Sequence, residues 1–172
     1  MKFAPFAAAA SLSLLLAACA TPAPEPEPAP AGPAPSGTQA PADRGEQITP
    51  GSARDFEVNA GDRVFYGFDR YDVDNQARET LRRQAQWLQR YPETRIQVAG
   101  NADERGTREY NLALGSRRAN SARDFLVSQG VDASRISVVS YGKERPSCTQ
   151  STEQCWAQNR NATTTVTSGA AS

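Results

Sequence analysis

The second half of this chain alternates between strand-like and helix-like segments, and this pattern limits the folds it can adopt. Residues 63–68 (RVFYGF), 95–99 (RIQVA) and 136–141 (ISVVSY) are short runs rich in β-branched and aromatic side chains. Between them, segments 75–90 and 107–128 repeat their apolar residues at helical spacing. Strands separated by helices of this length predict helices packed on one face of a sheet.

Local signals set the bounds of the two long helices. Asp74 is a good N-cap for the helix at 75–90, and Tyr91-Pro92 ends that helix. Gly130 ends the helix at 107–128. The helix at 75–90 is therefore predicted with a start and a stop signal, and the helix at 107–128 with a stop signal.

Weaker elements complete the pattern. A short helix is predicted near 152–158 and a last strand at 162–167, and residues 56–58 form an extended stub expected to pair at the sheet edge. The predicted fold class is α+β, a β-α-β-α-β-(α)-β two-layer sandwich. Its helices lie on one face of a mixed parallel and antiparallel sheet.

Residues 1–18 are predicted to be a lipoprotein signal peptide. Lys2 supplies a short positive region, and residues 7–18 form an apolar run too short to span a bilayer. The run ends in LAAC at 16–19, which resembles the lipobox of bacterial lipoproteins. The alternative is an ordinary secretory signal that happens to contain a cysteine.

Cleavage before Cys19 would make its sulfur the site of lipid attachment. This covalent lipid is the only non-protein group expected, and no cofactor is predicted. Each buried methylene of an acyl chain contributes about 0.8 kcal/mol, so several chains would anchor the protein stably. Ala20, rather than Asp, follows the cysteine, and by resemblance to bacterial sorting rules this favours the outer membrane.

The next segment, 19–52, is predicted to be a lipidated, disordered tether. It consists mainly of Pro, Ala, Glu and Gly, which cannot bury a core and favour disorder or polyproline II. The folded domain is placed at 53–168, and 169–172 form a short tail. One membrane-anchored domain on a flexible segment is the expected organisation.

Charge and residue content exclude several functions. The formal net charge is zero, from 19 basic and 19 acidic residues, so no nucleic-acid partner is expected. The chain has no His, which removes the commonest general base and zinc ligand. No nucleophile with an adjacent base is visible, and the neighbouring Asp103 and Glu104 point in different directions. The chain is therefore not expected to be an enzyme.

Two of the three cysteines are predicted to form a disulfide. Cys148 and Cys155 remain once Cys19 is assigned to lipid, and an exported protein meets an oxidising compartment. Two cysteines without a histidine make a poor metal site. No metal site is predicted.

The most informative stretch is 100–120, GNADERGTREYNLALGSRRAN, which mixes both signs of charge at a strand-to-helix turn. Asp103 follows a strand, and Arg118 lies further along the next helix. Arg118 can grip a carboxylate with two hydrogen bonds, and Asp103 can accept from an ammonium, so together they suit a zwitterionic ligand. The alternative is surface ion pairing, between themselves or with neighbouring charges, worth about 0–1 kcal/mol.

The helix at 107–128 carries two stripes. One is small and apolar and suits close packing on a sheet. The other is mixed and could be a solvated edge or one wall of a pocket. The apolar stripe is Ala119, Ala122 and Leu126, and the mixed stripe is Thr107, Asn111, Leu114 and Arg118.

Four segments then carry a resemblance to a known family. FDRYD at 68–72, GNADERGT at 100–107, YNLALGSRRAN at 110–120 and SYGKE at 140–144 occur in this order. They resemble the peptidoglycan-associated lipoproteins of the Tol–Pal system, which carry an OmpA-like C-terminal domain. The resemblance covers nearly all of the folded part, and the lipobox and tether agree with it.

The resemblance implies non-covalent binding to meso-diaminopimelate in the peptide stem of peptidoglycan. It implies an outer-membrane lipoprotein that faces the periplasm. Its implied partners are the periplasmic β-propeller protein and the energy-transducing protein of the Tol system. The predicted site comprises Asp103 and Arg118 as the key pair, Phe68 and Asp69 as the other wall, and Thr107, Asn111 and Leu114 from the stripe. The neighbouring Glu104, Arg105, Arg108, Glu109 and Arg117 are expected to be solvated or to face a protein partner.

Two departures from the family pattern stand out. Asn101 replaces a usual His, so pH sensitivity from that His is absent. Asn159-Arg160-Asn161 replaces Asn-Arg-Arg, so the resemblance leaves a functional role open for Arg160 and implies none for Asn161. The Cys148–Cys155 loop is not a general feature of the family.

Three other functions remain as alternatives. The domain could act mainly as a protein-interaction module, within or outside Tol–Pal. A stator-like motor protein is disfavoured because no transmembrane helix is predicted, and a hydrolase is disfavoured by the missing His.

Overall fold

A computed structural model of the chain describes residues 48–171. The predicted signal peptide, Cys19, the tether up to residue 47 and Ser172 lie outside the described residues. No helix between residues 48 and 171 has the length and apolar character needed to cross a bilayer. The strands are β1 (Arg63–Phe65), β2 (Arg95–Asn101), β3 (Ile136–Gly142) and β4 (Asn161–Ser168), and the helices are α1 (Asn75–Arg90), α2 (Arg108–Ser128) and α3 (Glu153–Asn159).

The four strands form one sheet in the order β1-β4-β2-β3. β2 and β3 are parallel, whereas β4 pairs antiparallel with both β1 and β2. Side chains from α1 and α2, among them Leu81 and Leu126, share one buried cluster with Val64, Ile96 and Val98 of the sheet. The predicted α+β sandwich with a mixed sheet is confirmed.

Each of these three helices is preceded by a residue whose side chain caps it. Asp74 accepts from the backbone N–H of Ala77 at 2.8 Å, and Thr107 accepts from Tyr110 at 3.2 Å. Thr152 does the same for α3. These caps satisfy N–H groups that have no partner inside the helix, which is why the bounds of α1 and α2 follow from the sequence.

The extended stub predicted at 56–58 is wrong. A helical turn at Ala53–Asp55 continues into a π-helical turn at Phe56–Ala60. The carboxylate of Asp55 accepts from the indole N–H of Trp87 at 2.8 Å, and the ring of Phe56 packs edge-on against Trp87 with centroids 5.1 Å apart. These contacts bind the segment to the end of α1, so it is not available to the sheet edge.

The fold also includes residues next to the predicted domain limits. Gly51, assigned to the end of the tether, is buried and donates its N–H to Asp55 at 2.8 Å. Its carbonyl accepts from Ala171, which was assigned to the tail, at 3.0 Å. The two ends of the described chain therefore meet.

Two glycines let α2 lie directly on the sheet. A Cβ on Gly100 of β2 would stand 1.8 Å from the carbonyl oxygen of Gly115 on α2. A Cβ on Gly115 would stand 2.4 Å from Oγ of Ser140 on β3. No other residue fits either position without moving backbone, so this contact sets the distance between α2 and the ends of β2 and β3.

The predicted disulfide is present. The sulfurs of Cys148 and Cys155 are bonded, and the Cα atoms lie 5.2 Å apart. The bridge closes the loop that leads into α3. It ties the start of this helix to the segment that follows β3.

Gly115→Ala tests the close contact between helix and sheet. Helix propensity alone would stabilise the variant by about 1 kcal/mol, but overpacking costs about 1–3 kcal/mol. We expect net destabilisation in urea unfolding. A variant as stable as the wild type, or more stable, would show that α2 can move away from β2 freely.

Removing the disulfide tests its contribution to stability. Cys148→Ser/Cys155→Ser should lower the free energy of unfolding by about 2–3 kcal/mol, because the unfolded chain loses a closed loop. Denaturant unfolding without reductant measures this, and wild type treated with a thiol reductant should match the variant. Equal stability of oxidised wild type and variant would contradict the expectation.

Candidate functional site

A small cavity lies at the end of β2, where the chain turns into α2. Its volume is about 260 Å³, slightly below the usual range of about 300–1,000 Å³ for drug-sized ligands. Six of the seven residues predicted from the sequence line it. The lining residues are Phe68, Asp69, Ala102, Asp103, Arg105, Gly106, Tyr110, Asn111, Leu114 and Arg118.

Asp103 is buried in the wall of this cavity, with 5% of its surface exposed. Oδ1 accepts from the backbone N–H of Arg105 at 3.1 Å, which forms a turn typical of Asp, and from Nε of Arg105 at 3.1 Å. Oδ2 accepts from Nη2 of Arg105 at 2.7 Å and from Nη1 of Arg160 at 3.4 Å. The carboxylate is thus held from two directions.

These contacts keep Asp103 ionised. Burial alone would raise the pKa of its carboxyl group, but the hydrogen bonds and charges of Arg105, with a hydrogen bond from Arg160, outweigh burial and lower that pKa below its ordinary value. At neutral pH Asp103 therefore contributes a negative charge to the cavity wall, beside the positive charges of Arg105 and Arg160.

Arg118 is fully buried on α2, with 0% of its surface exposed. Its Nε donates to the carbonyl of Arg70 at 2.8 Å, Nη1 to Asn101 at 2.8 Å and Nη2 to Gly67 at 3.1 Å. A guanidinium has five N–H donors, so these three bonds leave one donor on each terminal nitrogen. Within residues 48–171 those two donors make no hydrogen bond, and two guanidinium donors together match a planar acceptor such as a carboxylate.

Burial lowers the pKa of Arg118 to about 10, although the nearby carboxylate of Asp103 opposes the shift. The guanidinium therefore stays protonated at neutral pH. The hydroxyl of Tyr66 donates to the backbone carbonyl of Arg118 at 2.9 Å, and the guanidinium carbon lies 5.4 Å from the centre of the same ring.

Asp103 and Arg118 do not form an ion pair with each other. Asp103 pairs instead with Arg105 at 2.7 Å and with Arg160 at 3.4 Å. Asp103 thus pairs with neighbouring charges, as one form of the alternative expected, but Asp103 and Arg160 are buried and do not lie at the surface. The cavity thus presents a carboxylate and a guanidinium that remain separate.

The remaining predicted residues occupy distinct positions. Phe68 is 63% exposed at the rim. Asp69, which has φ of 56°, accepts from the hydroxyl of Tyr110. Leu114 is buried and supplies an apolar patch. Asn111 is buried and donates its side-chain N–H to the carbonyl of Arg105 at 2.8 Å, which holds the turn.

Thr107 has a different place from the other predicted residues. Its hydroxyl caps α2, and it is absent from the cavity lining. The stripe from Asn111 through Leu114 to Arg118 therefore lines the cavity, and Thr107 sets where that helix begins.

Arg105 is the main residue that sequence reasoning missed. Expected to be solvated or to face a partner, it instead lies between two aromatic rings, 4.3 Å from the centre of Phe68 and 4.1 Å from that of Trp156. The only local signal was the Asp-x-Arg spacing, which places an N–H and a guanidinium near the carboxylate. The stacking depends on α3, about 50 residues further along the chain.

Side chains of α3 contact the charged wall of the cavity, that is, Asp103 and the two arginines, Arg105 and Arg160, that pair with it. The carboxylate of Glu153 accepts from Arg160 at 2.8 Å and lies 3.7 Å from Arg105. The indole N–H of Trp156 donates to the carboxylate of Glu104 at 2.9 Å. Glu104 is therefore engaged as well, whereas Arg108 makes the exposed ion pair expected of a solvated charge, with Glu144 at 3.2 Å.

Asn101 and Asn161, the two residues that depart from the family pattern, contact each other. The side-chain N–H of Asn101 donates to Oδ1 of Asn161 at 2.9 Å, and both residues are buried. Thr163 also donates to that oxygen at 3.1 Å. Asn161, to which no role was assigned, thus satisfies the side chain of Asn101.

Within residues 48–171, no group of three or more His, Cys, Asp or Glu could hold a metal ion. The cavity is lined by carboxylate and guanidinium groups, an amide, a phenol and apolar side chains. These groups suit reversible binding of a small zwitterion.

Comparison with known proteins identifies the family. Residues 65–161 match the OmpA family model. The chain is 60% identical to the peptidoglycan-associated lipoprotein of Mesorhizobium japonicum, over 72% of this chain and 73% of that one. It is 58% identical to the Agrobacterium fabrum protein of the same name, over 69% and 67%.

Solved structures agree. The peptidoglycan-associated lipoprotein of Burkholderia pseudomallei superposes with a TM-score of 0.62 at 40% identity, over 64% of this chain and 96% of that one. The C-terminal domain of Helicobacter pylori MotB, at 19% identity and a TM-score of 0.59 over 62% and 84%, shares the fold. The matched relatives form a family of binding proteins and not of enzymes. The chain belongs to the OmpA family and, within it, to the peptidoglycan-associated lipoproteins.

Proposed function

We propose that the cavity binds peptidoglycan non-covalently, at the zwitterionic end of meso-diaminopimelate in the stem peptide. The observation that carries this proposal is a buried carboxylate, Asp103, and a buried guanidinium, Arg118, which line one small cavity without pairing with each other. A free diaminopimelate end carries one ammonium and one carboxylate. Its charges complement this pair.

Each part of the ligand has a matching group. The two unused donors of Arg118 suit a carboxylate, and Asp103 suits an ammonium. Leu114 and Phe68 offer apolar surface to the methylene chain of the ligand. Since burial strengthens charge-assisted hydrogen bonds, a site this small can still discriminate between ligands.

The proposal extends to the place of the protein in the envelope. The relatives are named as peptidoglycan-associated lipoproteins, and the lipobox ending in Cys19 agrees with that name. We infer that acyl chains on Cys19 anchor the protein in the outer membrane, facing the periplasm. The Pro-rich tether would let the domain reach the wall.

We further propose a role in the Tol–Pal system, with the Tol β-propeller protein and the energy-transducing protein as partners. This role would support envelope integrity and outer-membrane constriction at division. Phe68 and Tyr110, which line the cavity, are exposed aromatic residues, and aromatic residues are enriched in protein interfaces. A partner on this rim would compete with the wall.

The same rim favours a second candidate, a module that mainly binds proteins, outside Tol–Pal. Soluble peptidoglycan fragments separate the two proposals. Fragments that release a bound Tol partner would support competition at one surface, whereas a domain that binds proteins but no fragment would favour the second candidate.

Asp103→Asn and Arg118→Lys should abolish co-sedimentation with purified sacculi. Asp103→Asn removes a charge and Arg118→Lys removes the planar guanidinium from a desolvated contact, and each change should weaken the binding free energy by about 2–5 kcal/mol. Asp124→Asn is the matched control, because Asp124 is an exposed carboxylate outside the cavity, on the helix that carries Arg118. Full retention of both site variants, with unchanged circular dichroism, would refute the proposed site.

Binding should be independent of pH between about pH 5 and pH 8. The pKa of Asp103 is lowered, so the carboxylate stays charged above its ordinary pKa, and a pKa of about 10 keeps Arg118 charged below that pH. The chain has no His that could titrate between them. Calorimetric titration of a diaminopimelate stem peptide across this range tests the expectation, and a midpoint near pH 6–7 would contradict it.

A further inference from the structure

We propose that the Cys148–Cys155 disulfide positions the wall of the cavity through α3, and thereby raises the affinity of the site for its ligand. The inference rests on the proposed function of the cavity. Cys148, Cys155 and Trp156 act as positioning residues, since none of them lines the cavity.

The first step is the attachment of α3. Cys155 lies in its first turn and is 1% exposed. At the last residue of α3, Asn159 accepts from the backbone N–H of Ser147 at 2.9 Å and of Cys148 at 3.0 Å, and donates to the carbonyl of Cys148 at 2.7 Å. The segment around Cys148 is therefore fastened to both ends of α3.

This attachment matters because α3 is short. It has 7 residues, and isolated helices below about 12–15 residues are marginal in water. Its order must therefore come from contacts outside the helix. The disulfide is the one covalent contact of this kind within residues 48–171.

The second step is the contact between α3 and the charged wall. Trp156 stacks on the guanidinium of Arg105 at 4.1 Å. Glu153 lies 3.7 Å from Arg105 and accepts from Arg160, which follows α3, at 2.8 Å. One short helix thus supports both arginines that hold Asp103.

The third step is the effect on Asp103. Arg105 and Arg160 supply every side-chain hydrogen bond that its carboxylate accepts. If α3 loosens, Arg105 keeps only Phe68 as a stacking partner, and that ring is largely exposed. Ligand binding must then order these side chains, and the conformational entropy lost weakens the affinity by about tenfold.

The direct test is calorimetric binding of a diaminopimelate stem peptide, well below the unfolding temperature. We expect Cys148→Ser/Cys155→Ser to bind about tenfold more weakly than the wild type. Leu88→Ala is the matched control, because it destabilises a buried position on α1 outside the cavity, and it should bind like the wild type. Equal affinity of the cysteine variant and the wild type would overturn the proposal.

A double-mutant cycle with Trp156→Ala tests whether the disulfide acts on the cavity through α3. If the disulfide acts through Trp156 and Arg105, removing the cysteines should change affinity little once Trp156 is gone. Full additivity of the two effects would overturn the route through α3.

A measurement without ligand separates this proposal from the proposed function. The chain has two tryptophans, so their indole N–H resonances are assigned with Trp156→Phe alone. Treatment with a thiol reductant should shift the Trp156 resonance and speed its hydrogen exchange, while Trp87, bonded to Asp55, stays unchanged. An unmoved Trp156 resonance would overturn the positioning role. A moved resonance in a protein that fails to bind the stem peptide would support positioning and refute the proposed function.

Discussion

The cavity depends on the buried guanidinium of Arg118. Its three bonds to the carbonyls of Gly67, Arg70 and Asn101 tie the loop after β1 and the end of β2 to α2. Burying a charge is costly unless its hydrogen bonds are satisfied, and these carbonyls largely compensate that cost. The side chain of Arg118 therefore both ties these segments together and lines the cavity.

Two further constraints place the opposite charge. The contact between Gly100 and Gly115 holds α2 against β2, which brings Arg118 near the turn that carries Asp103. Arg105 and Arg160 then hold Asp103, and α3 supports both arginines. The cavity is thus enclosed by groups that are already paired or stacked, so little reorganisation is needed when a ligand arrives.

Local signals explain what could be predicted. Asp74 and Tyr91-Pro92 bound α1. The spacing of Asn111, Leu114 and Arg118 put these residues on one face of α2 and left open whether that face is solvated or lines a pocket; in the structure it lines the cavity. The misses come from contacts between distant segments. The stub at 56–58 is helical because Trp87 holds it, and Arg105 is stacked because α3 brings Trp156 to it. Pairing of this kind leaves no periodic trace in the sequence.

The most direct test of the account compares two stem peptides that differ only at the third residue, meso-diaminopimelate or lysine. Both carry the ammonium, but only the first carries the distal carboxylate that Arg118 is proposed to bind. Isothermal titration should show binding of the diaminopimelate peptide and a loss of about 2–5 kcal/mol for the lysine peptide. Equal affinity for the two peptides would contradict the proposed pairing of Asp103 and Arg118 with one zwitterionic centre.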